Sequence, residues 1–391
     1  MSTLPAAVLF DTLPTENGKL LGVATLNAEK TLNALSMEMV DLLAQQLTAW
    51  RADPAIVAVI LQAAGDKAFC AGGDLQNLYR SMQEQHASPN KDDLLANTYA
   101  LDFFEREYRL DYLIHTYGKP ILCWGHGIVM GGGIGLMAGA SHRVVTEKSR
   151  LAMPEIAIGL YPDVGGSWFL NRMPGKLGLF LALTGASINT ADARFARLAD
   201  FQLQHADKAA LIASLQAQPW SSSEQDNHAL LSRLLQQAEQ QHAAAGSTDG
   251  PLRQHFDLIN QLCTGGLQDI VKRITSLQSD DPWLKKAAAA LAKGSPSSSY
   301  LAYALQQRSK HLSLAEVFRL ELVASLACAA GPDFAEGIRA LIVDKDMQPR
   351  WSPAHLQAVT EEMAQQFFNS PWDEASHPLK DLGRQDQRLA A

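Results

Sequence analysis

Two acids, Glu155 and Asp163, are written into the otherwise apolar stretch AMPEIAIGLYPDVGGSWFL (152–170). An ionised carboxylate buried in such surroundings is costly unless it is paired or held neutral. These acids are therefore either exposed by local geometry or kept for chemistry. The residues between them can span up to ~28 Å of extended chain. Gly159, Pro162, Gly165 and Gly166 offer turns that could instead fold both acids into one pocket. The bland alternatives are a helix-start acid after Pro154 for Glu155 and a turn or capping acid after Pro162 for Asp163. Apolar surroundings would raise the pKa of Glu155 and poise it near neutrality.

Two glycine-rich turns form the second group of candidates. AFCAGGDL (68–75) follows a buried, strand-like run. Its glycines leave N–H groups bare and let a ligand come close, while Asp74 has the simpler task of capping the next helix. In HGIVMGGGIGLMAGA (126–140) three successive glycines open a helical pattern. Bare N–H groups at a helix start make a receptor for an anion or oxyanion, and close helix–strand packing is the competing explanation for any one of them. Gly133, Gly135 and Ala138 also fit a dinucleotide fingerprint. Only about eight residues then precede the strand-like segment at His142, too few for a crossover helix. In NTYALDFFEREYRLDYLIHTYG (97–118), Phe103, Glu107, Leu110 and Ile114 share one helical stripe, which puts Glu107 on an apolar face or at its solvated edge.

These residues need a scaffold. LLGVATL (20–26), AIVAVILQA (55–63), KPILCWGHGIVM (119–130) and HRVVTEK (142–148) read as strands, and Ser36 caps a helical pattern running from Met37 to Trp50. Alternating strands and helices predict an α/β architecture with parallel pairing. Past residue 205 the composition shifts to Ala, Gln, Ser and His. NHALLSRLLQQAEQQHAAAG and LSLAEVFRLELVASLACAA (312–330) read as helices, with GSTDGP (246–251) as a break. The expected organisation is an α/β half, residues 1–205, followed by a helical half, residues 206–391.

Composition narrows the function classes. The chain has 391 residues, 47% hydrophobic and 19% charged, with a net charge of −8, as expected of a globular protein of two or three domains. It carries no basic footprint for nucleic acid and no apolar run of membrane-spanning length. The four cysteines, Cys70, Cys123, Cys263 and Cys328, form no CxxC pair, and the start resembles neither a signal nor a transit peptide. A cytoplasmic location is the expectation. No HxxxH or HExxH pair, GxSxG elbow or Walker loop occurs, so no metal site is expected.

KAFCAGGDL, HGIVMGGGIGL and AMPEIAIGLYPDVGG, in that order, resemble the crotonase (enoyl-CoA hydratase/isomerase) superfamily. TLNAEKTLNALS (25–36) and DFAEGIRALIVDKDMQPRWSP (333–353) fit as well, and FFEREY (103–108) resembles its thioester-hydrolase branch. The resemblance implies a spiral of ββα turns followed by C-terminal helices. It implies an acyl-CoA substrate that brings its own coenzyme A, with no separate cofactor. Gly73 and Gly132 would supply the oxyanion-hole amides, Glu155 and Asp163 the catalytic acids, and Glu107, Gly132, Glu155 and Asp163 the substrate contacts. Lys30 and Ala71 would touch coenzyme A, although Ala28 replaces the arginine usual in the LNAEK turn. Hydratases of the family carry a glutamate where this chain has Gly135. Hydrolysis of a short 3-hydroxyacyl-CoA, foremost the 3-hydroxyisobutyryl ester of valine breakdown, is thus expected ahead of hydration, isomerisation or non-catalytic acyl-CoA binding. The helical half could build a homo-oligomer interface, cover the pocket, or both.

Overall fold

The computed structural model describes residues 6–242 and 249–384. Nine strands form in chain order: β1 (Val8–Pro14), β2 (Leu20–Leu26), β3 (Ile56–Ala63), β4 (Ala68–Cys70), β5 (Ile121–Gly125), β6 (Ile128–Met130), β7 (His142–Thr146), β8 (Arg150–Ala152) and β9 (Phe201–Leu203). They make a six-stranded sheet of order β1-β2-β3-β5-β7-β9 and a three-stranded sheet of order β4-β6-β8. Only β1 pairs antiparallel in the larger sheet. Each pair β3/β4, β5/β6 and β7/β8 gives its first strand to the large sheet and its second to the small one. Helices Leu75–His86 and Gly132–Ala138 follow β4 and β6, which is the repeating ββα turn.

One expected element divides. The run 119–130 is not a single strand but β5 and β6, separated at His126 and Gly127. Gly127 has φ 61°, and a Cβ there would lie 2.2 Å from the carbonyl oxygen of Lys67. Only glycine tolerates this bend, which hands the chain from one sheet to the other.

By packing, the chain forms two compact units, each discontinuous in sequence. One comprises Met1–Gly73, Leu110–Leu151 and Ile188–Gln254, the other Asp74–Arg109, Ala152–Ser187 and His255–Ala391. The change near residue 205 is one of composition, from strands to helices. In the first unit, the Ala- and Gln-rich segment has a definite task. Helices Lys208–Gln216 and Glu224–His242 bury Leu211, Leu215, Leu231 and Leu235 with Val23, Ile60 and Trp124 of the large sheet. Each such aliphatic side chain contributes roughly 1.5–3 kcal/mol on burial. Part of the expected break at 246–251 lies outside the described residues. In the second unit, helix Leu314–Ala330 starts at a capping box between Ser313 and Glu316 and is buried over most of its surface. Among the described residues no helix is long and apolar enough to cross a membrane.

Candidate active site

In the first unit the two glycine turns leave neighbouring strand ends. Strands β4 and β6 run parallel, with Ala68 opposite Ile128 and Cys70 opposite Val129. Ala71, Gly72 and Gly73 follow the one, and the glycine triplet follows the other. The three glycines serve three purposes. Gly131 (φ 49°) makes the left-handed turn that ends β6. Gly133 packs so closely that a Cβ would sit 2.4 Å from the Cys70 carbonyl oxygen. Gly132 begins the helix, where its amide points free of the helical ladder. Neither the Gly73 nor the Gly132 amide donates to an acceptor among the described residues.

The LNAEK turn belongs to the same neighbourhood. The Ala71 amide donates to the Leu32 carbonyl at 3.1 Å, and the Leu35 amide to the Gly72 carbonyl at 2.8 Å. Buried Asn33 fastens the turn. Its Nδ2 donates to the Ala64 and Ala68 carbonyls, each at 3.0 Å, and its Oδ1 accepts the Ala28 amide at 2.8 Å. Lys30 lies exposed in the short helix Glu29–Thr31. Sequence reading had no role for Asn33.

In the second unit the acids are gathered together. Glu155 opens the short helix Glu155–Ile158, which ends at left-handed Gly159. The chain then turns through Pro162, and left-handed Val164 and Gly165 follow Asp163 directly. For a β-branched residue such as Val164 this conformation is strained, so the surroundings must hold it. The result places Glu155 and Asp163 with Glu107 of helix Thr98–His115, all three buried. Glu107 therefore occupies the apolar face, not its solvated edge. Asp74 takes its simpler role, capping helix Leu75–His86 at the amides of Gln76 and Asn77.

Burial is the main force raising all three carboxyl groups. Asp163 accepts a hydrogen bond from Tyr108 Oη at 2.8 Å, which partly offsets burial and leaves it at about 7. Burial and then the Asp163 charge push both Glu107 and Glu155 well above the usual carboxylate range. Glu155 Oε2 has no hydrogen-bond partner among the described residues. Asp163 is thus poised near neutrality, and Glu155 is raised, in the direction expected. The Tyr108 hydroxyl gives Asp163 a side-chain donor that Glu155 Oε2 lacks among the described residues. Four further residues near the acids were missed by sequence reasoning: Tyr108, Tyr161, Glu321 and Ser325. For Glu321 a signal existed, because Phe318, Glu321, Ser325 and Cys328 recur at helical spacing, as Phe103, Glu107 and Leu110 do.

A ββα spiral with glycine amides left without acceptors among the described residues at its strand ends, in a chain that also gathers buried carboxyl groups, is a crotonase-type architecture. The family model described as enoyl-CoA hydratase/isomerase matches residues 21–368, and the chain belongs to that family. It is 37% identical over 369 residues to a protein of Gallus gallus named 3-hydroxyisobutyryl-CoA hydrolase, mitochondrial, covering 94% of this chain and 88% of that one. The Homo sapiens protein of the same name is 37% identical over 350 residues, covering 89% and 86%. Among solved structures, one titled carnitinyl-CoA dehydratase from Mycobacterium thermoresistibile matches with a TM-score of 0.79 and 34% identity, covering 94% of this chain and 98% of its own. One titled enoyl-CoA hydratase from Rhodobacter sphaeroides matches with a TM-score of 0.78 and 33% identity, covering 93% and 98%.

Proposed function

We propose that this protein hydrolyses the thioester of a short 3-hydroxyacyl-CoA, foremost 3-hydroxyisobutyryl-CoA, to the free hydroxy acid and CoA, a step of valine breakdown. The observation that carries the reading is the buried cluster of Glu107, Glu155 and Asp163, in which one Glu155 oxygen has no partner among the described residues. The names of the vertebrate relatives support it.

In this reading the Gly73 and Gly132 amides receive the thioester oxygen, and such donors are worth about 3–4 kcal/mol each. Ionised Glu155 then has two chemically balanced routes. It attacks the carbonyl carbon and expels the thiolate, leaving a mixed anhydride that water opens, or it takes a proton from the water that attacks. Either way the C–S bond breaks and the thiolate is reprotonated. Asp163 passes that proton or holds the substrate hydroxyl, and Glu107 helps position that hydroxyl. Lys30 and Ala71 contact coenzyme A, which is part of the substrate, so no separate cofactor takes part. The cytoplasmic location is part of this proposal, although the relatives named are mitochondrial.

The titles of the two solved structures favour a second reading, water addition to an enoyl-CoA. Hydration in this family draws on a second glutamate at the place of Gly135, and glycine has no group to supply. A free-thiol assay over a panel of acyl-CoA esters, with wild type and Glu155→Gln, separates the possibilities. Thiol release by wild type alone, best with the 3-hydroxyisobutyryl ester, is the expected result. Loss of crotonyl-CoA absorbance without thiol release refutes hydrolysis in favour of hydration. Ester binding with no turnover refutes both.

A further inference from the structure

Helix Leu314–Ala330 belongs to the half of the chain whose sequence says nothing of chemistry, yet it grips the Asp163 loop at two points. Glu321, fully buried, accepts the Gly165 amide at 2.8 Å on one carboxylate oxygen and the Ser167 amide at 2.9 Å on the other. These amides flank the turn that starts at strained Val164, the residue after Asp163. One helical turn further on, Ser325 Oγ stands 2.7 Å from Tyr108 Oη and 2.8 Å from Tyr161 Oη. Tyr161 Oη donates to the Glu321 main-chain oxygen at 2.7 Å, and Tyr108 Oη meets Asp163 Oδ2 at 2.8 Å.

Proton bookkeeping gives this chain a direction. Four contacts link Asp163, Tyr108, Ser325, Tyr161 and the Glu321 carbonyl, and each needs one proton. The three hydroxyls carry one proton apiece. With Asp163 ionised, one contact therefore sets lone pair against lone pair. With Asp163 protonated, every contact is satisfied in a single run: Asp163 to Tyr108, Tyr108 to Ser325, Ser325 to Tyr161, Tyr161 to the Glu321 carbonyl. A buried network prefers its fully satisfied state.

We propose that Glu321 and Ser325 are positioning residues for Asp163: the first fixes where its carboxyl group points, and the second, through Tyr108 and Tyr161, biases it to keep its proton. The inference about catalysis rests on the hydrolase reading above. The other titratable groups around Asp163 are Glu107 and Tyr108 on helix Thr98–His115, Glu155 and Tyr161 on its own stretch, and Glu321 and Cys328 on helix Leu314–Ala330. Removing any one of the three hydroxyls balances the count, and removing Ser325 does so while keeping both Tyr108 against Asp163 and Tyr161 against the Glu321 carbonyl. Without Ser325, two contacts remain for two protons, and Asp163 is satisfied ionised.

Two variants test this on the full chain. Ser325→Ala should lower the titration midpoint of Asp163 by about half to one pH unit, and Ser325→Thr should restore it. Carboxyl 13C NMR reads the midpoint, with Asp163→Asn assigning the resonance. Glu321→Gln offers one oxygen for two amides and sets an NH2 group against an N–H. It should lower kcat on 3-hydroxyisobutyryl-CoA about a hundredfold, the scale of a misplaced catalytic group, with KM little changed. It should also shrink the preference for that ester over isobutyryl-CoA, which simple loss of folded enzyme would leave intact. An unmoved Asp163 midpoint in Ser325→Ala overturns the proton bias, and an unchanged ester preference in Glu321→Gln overturns the positioning. If wild type releases thiol from neither ester, the hydrolase reading falls, while the NMR titration still decides the role of Ser325.

Discussion

Replacing Asp163 with asparagine should make the protein more stable, and increasingly so as pH rises. Asp163 is carried from its usual 3.8 to about 7 chiefly by burial. A raised acid favours the folded state while both states are protonated, below the unfolded pKa, and that contribution is lost as pH climbs through the folded value. At about 1.36 kcal/mol for each pH unit between the two values, the full loss is about 4 kcal/mol. Asparagine does not titrate, so the variant is spared this loss. Between about pH 5 and about pH 8.5 its advantage should grow by roughly 2–3 kcal/mol, since part of the loss has already occurred at the lower pH. Removing the Asp163 charge also lets Glu107 and Glu155 ionise at lower pH, which acts in the same direction. Denaturant melts of both proteins at the two pH values measure this, and comparing differences cancels any constant packing change. A stability difference equal at both pH values, or one that shrinks at the higher pH, would refute the account of Asp163 as an acid forced upward by burial.

Two other consequences can be checked separately. Because Asp163 stands at about 7 and Glu155 is raised well above the usual carboxylate range, kcat/KM for 3-hydroxyisobutyryl-CoA should rise with pH through the neutral range as the carboxylates ionise; a rate already flat from about pH 5.5 upward contradicts this. Gly133→Ala places a Cβ 2.4 Å from the Cys70 carbonyl oxygen, so backbone must move and carry the adjacent Gly132 amide with it. A kcat loss of about a hundredfold and a destabilisation of roughly 1–3 kcal/mol are expected, and near-normal kinetics would exclude Gly132 as an oxyanion donor.

The features that were legible in the sequence are those that local chemistry dictates. Continuous runs such as AIVAVILQA became central parallel strands because both faces of that sheet are covered. Ser36 and Asp74 cap helices because their side chains satisfy amides that the helix cannot. The small sheet was invisible, since three-residue strands such as β4 and β6 are too short to show any periodicity. The division into units was equally hidden, because packing joins segments far apart in the chain. Glu321 is a different case. Its position on an apolar helical stripe was as readable as that of Glu107, but nothing local distinguishes a buried acid that touches substrate from one that clamps a loop. Which amides it accepts is decided by a segment some 150 residues away, as the separations of 156 and 154 residues to Gly165 and Ser167 show.

The repulsion between Asp163 and Glu155 has a consequence for how substrate would engage them. Once Asp163 is charged it pushes Glu155 upward, so the two compete for one negative charge in the same buried space. Glu155 can act as nucleophile or base only when ionised, which is easiest when the charge on Asp163 is removed or screened. A substrate hydroxyl donating to Asp163 would screen it and ease the ionisation of Glu155, linking recognition of the 3-hydroxyl group to activation of the attacking acid. Deleting that hydroxyl from the substrate should then depress kcat and not merely raise KM, because the lost contact matters most where Glu155 becomes charged. Isobutyryl-CoA turned over with an unchanged kcat and a raised KM would show that the hydroxyl is only gripped, and that Asp163 and Glu155 do not communicate through it.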